Sequence, residues 1–209
     1  MAGHDPRPAR DVAARGGSGD GPRGLAARLH PGGRHSESDA VSRPPLLLEA
    51  AGEEDLEALV ELEQRCHSHP WRESSFREEM GDPARGAVIV LRAPFEPAEQ
   101  GRGIVGYYAY QVVAEEMHLL NLAVAPEHRR AGLGGFLLAR AIEQGGRRGA
   151  KNVFLEVRRS NRVAQALYEH FGFLTVAVRR DYYADPREDA LVLARGALAL
   201  GVTAPATDP

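Results

Sequence analysis

Short apolar runs with strand character alternate along this chain with segments whose apolar residues recur at helical spacing. The order is one strand, two helices, three strands, and then helix, strand, helix, strand and strand. An alternation of this kind is satisfied by one sheet with helices packed against it, so the predicted fold class is mixed α/β around a single sheet. The predicted strands are 45–50, 87–91, 104–113, 117–124, 153–157, 173–178 and 190–194, and the predicted helices start at Leu56 and cover 74–80, 133–148 and 161–171.

Composition separates a body from two ends. Residues 1–45 contain 8 Gly, 6 Pro and no aromatic residue, which predicts a disordered Arg/Gly/Pro-rich tail, because such a stretch buries too little apolar surface to offset the entropy of ordering. The body, 46–197, is predicted to be one domain, and 198–209 a flexible C-terminal end. The tail carries 7 Arg against 5 acidic residues. A weak docking arm for an anionic surface such as ribosomal RNA, and a dispensable extension or misplaced start, are both open interpretations.

Several classes of protein are excluded by composition. The single cysteine, Cys66, excludes an intramolecular disulfide and a Cys-rich zinc site, and favours a cytoplasmic location. A net charge of −3 argues against nucleic acid as the main partner. No apolar run approaches the roughly 20 residues of a membrane span, and the N-terminus lacks the apolar core of a secretory signal. His67 and His69 form a His-x-His beside Cys66, but no further ligand set is evident, so no metal is expected.

The strongest chemical signal lies between strand 117–124 and helix 133–148. The helix begins among glycines, at Gly132 and Gly134, where exposed N–H groups bind anions and a phosphate can approach the backbone. Arg129 and Arg130 add positive charge. The segment resembles a pyrophosphate cradle, although it is neither a P-loop nor a Rossmann fingerprint. A glycine-containing turn before an ordinary helix is an equally open interpretation.

A carboxylate on a buried strand forms the second signal. Alternation along 153–157 places Val153, Leu155 and Val157 on one face and Phe154 and Glu156 on the other. Burial would raise the pKa of the Glu156 carboxyl toward the range that suits a general base. A solvated strand end is the alternative.

A phenol on the next helix accompanies this carboxylate. Ser160 or Asn161 is expected to cap the helix, and Tyr168 lies one step around from its apolar stripe. The stripe is predicted to consist of Val163, Ala164, Leu167 and Phe171. A tyrosine at the edge of a cleft can donate a proton, and a tyrosine at the edge of the core is the alternative.

Several separated motifs resemble a known family. The pattern Arg129-x-x-Gly132-x-Gly134 resembles the acetyl-CoA motif of the GNAT superfamily of N-acetyltransferases. Further runs are similar to the RimI family of bacterial ribosomal-protein alanine N-acetyltransferases, and together they extend from about Leu46 to Ala194. These runs are HPW at 69–71, NLAV at 121–124, LEVRRSN at 155–161, ALYE at 166–169, FGF at 171–173, RRDYY at 179–183 and REDA at 187–190. The resemblance implies the GNAT fold, a mixed central sheet with splayed central strands flanked by helices.

The resemblance also implies acetyl-CoA as cosubstrate, entering the gap between the splayed strands. The implied cofactor-binding residues are Leu122, Ala123, Val124, Arg129, Arg130, Ala131, Gly132, Leu133, Gly134, Gly135 and Asn161. The backbone of 122–124 would pair with the pantetheine arm, 130–135 would cradle the pyrophosphate, and Asn161 would lie near the thiol. By the family pattern, Glu156 is the general base and Tyr168 the general acid.

The implied activity is direct transfer of acetyl to the N-terminal α-amine, of alanine, on a basic small-subunit ribosomal protein, with no nucleic acid required and no membrane. Acidic residues could attract such a protein, and aromatic residues could line its groove; solvated surface and core packing are the alternatives. The candidates are Glu115, Glu116, Glu188, Asp189, Trp71, Tyr182 and Tyr183. A lysine or small-amine acetyltransferase of the same fold stays open, as does a non-catalytic acyl-CoA-sensing partner subunit, against which Glu156 and Tyr168 argue.

Overall fold

The computed structural model describes residues 46–93 and 103–196. The predicted tail 1–45 and the predicted end 198–209 lie outside the described residues. In these two stretches, four α-helices and seven strands follow one another in the predicted order. They are β1 (Leu47–Ala50), α1 (Leu56–Cys66), α2 (Glu73–Met80), β2 (Gly86–Arg92), β3 (Ile104–Val113), β4 (Glu116–Val124), α3 (Leu133–Arg147), β5 (Asn152–Arg158), α4 (Arg162–His170), β6 (Leu174–Ala184) and β7 (Arg187–Gly196). Single 3-10 turns precede α1 and follow β4.

All seven strands belong to one sheet in the order β1-β2-β3-β4-β5-β7-β6. Neighbouring strands are antiparallel except β4 and β5, which are parallel and are connected through α3. A parallel pair requires such a crossover, because the chain must return to the end of the sheet from which it started. The predicted mixed α/β class is therefore confirmed.

The two central strands, β4 and β5, separate after a short paired stretch. Their ladder consists of Glu116↔Asn152, Met117↔Val153 and His118↔Phe154. Beyond these pairs β4 continues to Val124 beside β3, and β5 continues to Arg158 beside β7. The sheet thus opens into a gap between the second half of β4 and the second half of β5. Splayed central strands, which the family resemblance implied, are present.

Helices cover the sheet on both faces and define two hydrophobic cores. On one face, α1 and α2 bury residues such as Leu59, Leu62 and Phe76 against β2, β3 and β4. On the other face, α3 and α4 pack on β3, β4 and β5. Helix α3 approaches β4 closely because Gly145 has no side chain, and a Cβ there would collide with Met117.

The inner face of α4 differs from the predicted stripe. Ala164 and Tyr168 are buried, Leu167 and Phe171 are half-buried, and Val163 is 56% exposed. The prediction that Val163 belongs to the apolar stripe is therefore wrong. The buried face is centred on the line that joins Ala164 to Tyr168, which are four residues apart on the helix, and Val163 points away from it.

The last two strands are longer than their apolar residues indicated. The predicted strand 173–178 extends to Ala184 in β6, and the predicted strand 190–194 starts at Arg187 in β7. Strand β6 is at the edge of the sheet, where exposed polar residues are favourable. Its pairing with β7 shifts between Arg179 and Tyr183, and Asp181 adopts a positive φ of 54°. This bulge interrupts the alternation from which strands are recognised.

Candidate active site

The turn that begins α3 is built for an anion. Gly132 adopts a left-handed φ of 82°, a conformation that favours glycine. Arg130, two residues earlier, also has a positive φ, of 62°. The helix has no side-chain cap at Gly132, and the first N–H groups of a helix have no partner within it. A Cβ added to Gly132 would meet no atom within 4 Å. The start of α3 therefore has N–H groups without a partner within the helix, beside a position that no side chain obstructs.

The glycines of this turn have different neighbours. A Cβ on Gly134 would lie 3.6 Å from Leu167, and one on Gly135 would lie 3.6 Å from Phe171. Both positions therefore face α4 and its C-terminal end, at distances where a Cβ would make ordinary van der Waals contact. Only Gly132 faces open space in the way that the sequence argument proposed for both Gly132 and Gly134.

The two arginines before the turn point to different places. Arg130 is exposed. Arg129 turns inward, and its Nε donates to the carbonyl of Val124 over 3.1 Å, while its Nη2 is buried without a hydrogen-bond partner among the described residues. The thiol of Cys66 donates to the same carbonyl over 3.4 Å. Arg129 thereby fixes the end of β4 at the mouth of the gap.

The backbone of Val124 is oriented by its neighbour. The N–H of Ala125 donates to Val105 of β3 over 2.9 Å. Because successive peptide groups of a strand point in opposite directions, the N–H of Val124 points away from β3 and toward the gap. The position suits a donor for an oxygen inside the gap.

Glu156 lies on β5, beyond the last residue paired with β4. Its side chain is 18% exposed, and it shares a face with Phe154, on whose ring His118 of β4 stacks with centroids 5.6 Å apart. Burial raises the pKa of the Glu156 carboxyl, while the charges of Arg179 and His118 act in the opposite direction. Nη2 of Arg179 lies 3.3 Å from Oε1 of Glu156. A partly buried carboxylate with a raised pKa at an open gap is suited to accept a proton.

Tyr168 and Asn161 are both on α4. The Oδ1 of Asn161 accepts a hydrogen bond from the N–H of Ala164 over 3.1 Å, so Asn161, rather than Ser160, caps the helix. Tyr168 is 3% exposed and its ring lies 5.8 Å from that of Phe173. It belongs to the core between α3, α4 and the sheet, whereas Glu156 is on the opposite face. The gap between β4 and β5 is where the two faces of the sheet connect.

The acidic residues that could attract a basic protein are engaged within the chain. Glu115 pairs with Lys151 over 2.6 Å. Glu188 accepts from the N–H and hydroxyl of Ser160 and lies 3.4 Å from Arg158. Such contacts reduce their field at the surface.

Glu116 and Asp189 also have neighbours within the chain. Glu116 lies 3.7 Å from His118, and Asp189 accepts from the N–H of Asp181 over 3.0 Å. Each of the four acidic residues thus has a partner within the chain, and they do not form a patch of uncompensated negative charge.

Two of the three aromatic residues considered for an acceptor groove are core residues. Trp71 is 7% exposed and packs edge-on against Phe76 at 5.3 Å. Tyr183 is 4% exposed, with the guanidinium of Arg158 stacked 4.0 Å above its ring. Tyr182 is half-buried. Of the three, Tyr182 has the exposure that contact with another molecule requires.

A buried carboxylate in α1 was missed by the sequence argument. Glu63 is fully buried and accepts hydrogen bonds from the Tyr107 hydroxyl (2.6 Å), the Asn121 amide (3.0 Å) and the Trp71 N–H (3.0 Å). Nε2 of His67 lies 3.1 Å away. Burial raises the pKa of Glu63, but the contacts with His67, Tyr107 and the Trp71 N–H outweigh burial and hold this pKa below its usual value.

A signal for Glu63 was present in the sequence. Leu59, Leu62 and Cys66 form an apolar stripe at helical spacing, and Glu63 occupies a position of the same stripe. A charged residue on the apolar face of a helix indicates a buried polar partner. The partners themselves are on other elements, so the sequence did not identify them.

Within the two described stretches of chain, no helix is long and apolar enough to cross a membrane. The same stretches bring together no group of three metal-ligating side chains.

Comparison with known proteins agrees with this geometry. The profile of the Acetyltransferase (GNAT) family matches residues 56–173. The ribosomal protein bS18-alanine N-acetyltransferase of Escherichia coli K12 is 39% identical over 142 residues, which are 67% of this chain and 90% of that protein. A putative enzyme of the same name from Bacillus subtilis is 32% identical over 140 residues, covering 67% and 88%.

The fold is similar to that of a solved enzyme of the same name. The crystal structure of the ribosomal-protein-S18-alanine N-acetyltransferase from Escherichia coli superposes with a TM-score of 0.64 at 33% identity, covering 79% of this chain and 99% of that one. The family profile, the relatives and the splayed sheet together show that this chain belongs to the GNAT family of acetyltransferases, enzymes that use acetyl-CoA.

Proposed function

We propose that this chain acetylates the N-terminal alanine of a ribosomal protein equivalent to bS18, with Glu156 as general base and Tyr168 as general acid. The observation that carries the proposal is the extent of the similarity: 90% of the Escherichia coli bS18-alanine enzyme is matched at 39% identity. The family profile, which matches residues 56–173, includes the strands that border the gap and the helix that carries Tyr168.

The residues around the gap fit acetyl-CoA. The start of α3 offers N–H groups beside Gly132, where no side chain obstructs an approaching phosphate. The second half of β4 lacks a ladder partner in β5, which supports a role for the backbone of 122–124 in pairing with an amide-containing arm. The buried Nη2 of Arg129, without a partner among the described residues, adds a donor near the end of β4. When bound, acetyl-CoA supplies the acetyl group as a reactive thioester.

Glu156 prepares the acceptor amine. An α-amine has a pKa of about 7.7–8.0, so much of it is protonated and unreactive at neutral pH. The Glu156 carboxylate takes this proton, directly or through one water, and the N–H bond breaks as the O–H bond forms. The neutral amine then forms its C–N bond with the acetyl carbon, and no covalent bond to the enzyme is required.

Val124 and Tyr168 would stabilise the negative charge that develops on the acetyl oxygen and on the departing sulfur. The N–H of Val124 points into the gap and would donate to the acetyl oxygen as that oxygen becomes more negative. The C–S bond breaks, and the Tyr168 hydroxyl donates its proton to the departing sulfur. The nitrogen loses its second proton as it becomes an amide, and this proton returns to the Tyr168 oxygen through water. Tyr168 lies on the α3/α4 side of the sheet and Glu156 on the other, so acid and base approach the gap from opposite faces.

Mass spectrometry of two peptides tests this function. The first peptide begins Ala-Arg and contains an internal Lys, and the second is identical but has its α-amine blocked. With the full-length protein and acetyl-CoA, we expect one acetyl group on the α-amine of the first peptide and none on the second. A Ser-Arg peptide of the same length measures selectivity for the first residue.

Other outcomes identify the alternatives. Acetylation of the Lys in the blocked peptide would assign the chain to lysine acetyltransferases. Absence of acetyl on both peptides, with CoA binding demonstrated by calorimetry, would contradict the proposal and favour a small-amine acceptor or an acyl-CoA-sensing subunit.

A further inference from the structure

Arg179 reaches Glu156 from two strands away. Across β5, β7 and β6 the register aligns Glu156 with Val192 and Ala177, and side chains at aligned positions share a face of the sheet. Arg179 is two residues beyond Ala177 and opposite Ala190, so it is on the same face. Its guanidinium extends over β7 to within 3.3 Å of the Glu156 carboxylate.

The other side of Arg179 is held by an aromatic ring. The guanidinium carbon lies 5.3 Å from the centre of the Tyr182 ring, a cation–π contact. Tyr182 follows the bulge at Asp181, which is fixed by two hydrogen bonds from Arg187 (2.7 and 2.8 Å) and by one from its own N–H to Asp189. The bulge therefore directs Tyr182, and through it Arg179, toward β5.

Other cations near Glu156 are less available to it. Arg158 is on the same face of β5, but its guanidinium is bound to the carbonyls of Asp185 and Pro186 in the β6–β7 turn. His118 of β4 contributes charge only when it is protonated, and Glu116 lies beside it. Among the described groups that face Glu156, Arg179 is the permanent cation in contact with it.

We propose that Arg179 is a positioning residue, the counter-cation that keeps Glu156 ionised in the free enzyme and gives way to the ammonium group of the acceptor. The proposal rests on the role of Glu156 as base. Arg179 is 46% exposed, and an ion pair with such exposure is weak enough to exchange. An incoming α-ammonium carries the same charge, so it can replace the guanidinium at the carboxylate without leaving a buried charge unpaired.

The return of Arg179 also resets the base. After Glu156 takes the proton of the amine, the carboxyl is neutral and no longer attracts the guanidinium. When the acetylated, uncharged product leaves, Arg179 again favours the ionised form, and the proton passes to water. Each turnover thus begins with a carboxylate, although burial acts against the charged form by raising the pKa of Glu156.

The test compares Arg179→Gln, Arg179→Lys and the control Arg180→Gln. Arg180 is the next residue of β6 and is exposed, and the charges that act on Glu156 are those of Arg179 and His118. Loss of Arg180 therefore removes the same charge without removing the contact. For each variant, kcat/KM for the Ala-Arg peptide is measured from pH 5 to 9, and the carboxyl of Glu156 is titrated in the free protein by carbon-13 NMR.

Loss of Arg179 removes a cation that lowers the pKa of Glu156, so the acidic limb of the profile and the NMR titration should both move to higher pH. We expect a shift of about half to one pH unit for Arg179→Gln, since the pair is partly screened by water. In Arg179→Lys both curves should lie close to those of the wild type, because the charge is kept. In Arg180→Gln both curves should not move. Raising the salt concentration should reduce the difference between wild type and Arg179→Gln.

Two results would overturn the role of Arg179: an NMR titration of Glu156 that does not move in Arg179→Gln, or an equal shift in Arg180→Gln. Failure of the base assignment is recognised separately with Glu156→Gln. If this variant keeps the activity and the acidic limb of the wild type, another group is the base, whatever the NMR titration of Glu156 shows for Arg179→Gln.

Discussion

The pKa of Glu156 is raised because its side chain is mostly buried. The residue lies beyond the last pair between β5 and β4, but it is still paired with β7. Its side chain is mostly buried, and the cations near it only partly offset the cost of burying its charge. A carboxyl in this situation ionises at a higher pH than an exposed one. A raised pKa makes a carboxylate a better proton acceptor, which suits the proposed role of Glu156 as general base.

Replacement of this carboxyl tests its role directly. Glu156→Gln keeps the size of the side chain but cannot accept a proton, so we expect turnover to fall about 10²–10⁴-fold. Turnover is measured with the Ala-Arg peptide, and calorimetry of CoA binding, which should be unchanged, is the control. The residual activity should also lose the acidic limb that wild type shows as pH falls through the pKa of Glu156. Near-normal turnover would remove Glu156 from the mechanism.

Tyr168→Phe tests the proposed role of Tyr168 as proton donor. The substitution removes one hydroxyl from a buried ring, and we expect product formation to slow by about 10²-fold while the fold is retained. Tyr108→Phe is the matched control, because Tyr108 is equally buried in the same core. Circular dichroism checks the fold of both variants. If Tyr168→Phe retains activity, water protonates the sulfur.

Helix α1 is attached to the sheet by buried hydrogen bonds as well as by apolar packing. The Glu63 carboxylate joins α1 to Tyr107 on β3 and to Asn121 on β4, and it also holds the N–H of Trp71 in the segment before α2. Asn121 is on the same strand as the backbone that borders the gap. The position of α1 and the position of β4 are therefore fixed by one buried group.

Removal of that group should be costly. Glu63→Ala leaves several buried polar groups without their partner, and we expect a loss of about 3–5 kcal/mol in the free energy of unfolding. Urea denaturation measures it, with the exposed neighbour Glu61→Ala as control, for which we expect less than about 0.5 kcal/mol. An equal effect in both variants would contradict the hub role of Glu63.

The pH dependence of this stability has a definite sign. The folded-state pKa of Glu63 is lowered, so its ionised form stabilises the fold at every pH above the unfolded value of about 4.3. That contribution is lost as the pH falls through the lower, folded pKa. The difference in stability between wild type and Glu63→Gln should accordingly be constant at neutral pH and shrink below about pH 4.

At the scale of the whole molecule, the sheet consists of two halves, β1–β4 and β5–β7, which a short parallel ladder between β4 and β5 connects. Within residues 46–93 and 103–196, β4 and β5 are paired only from Glu116↔Asn152 to His118↔Phe154. A ligand in the gap would contact the backbone of β4 on one side and the start of α3 and α4 on the other. It would therefore add connections between parts of the fold that share few of their own.

Binding of CoA should stabilise the entire domain. At a concentration one hundred times its Kd, a ligand specific for the native state adds about 2.7 kcal/mol, which for a chain of this size raises Tm by about 5–10 °C. Differential scanning fluorimetry measures the shift, with ATP as a control that carries phosphates but no pantetheine arm. Glu156→Gln should show the same shift as wild type. A shift with ATP equal to that with CoA would contradict binding along β4.

The alternation of strand and helix patterns in the sequence was sufficient for the class of fold and the order of its elements. Those patterns follow from local geometry: side chains alternate along a strand and recur every three or four residues along a helix. The resemblance of the separated motifs to the GNAT family was likewise available before the structure and is confirmed. The glycine turn before α3 and the burial alternation around Glu156 also lie at the predicted positions. The assigned roles of Glu156, Tyr168 and the cofactor-binding residues stay predictions.

Tertiary structure alone decided which residues meet. The contact between Glu156 and Arg179 exists because β7 inserts between β5 and β6, an order that no local pattern encodes. The partners of Glu63 come from three other segments for the same reason. The opening between β4 and β5 is also a property of pairing between distant residues. Periodicity reports which face of an element is buried, whereas the neighbours on that face depend on how the elements are ordered in space.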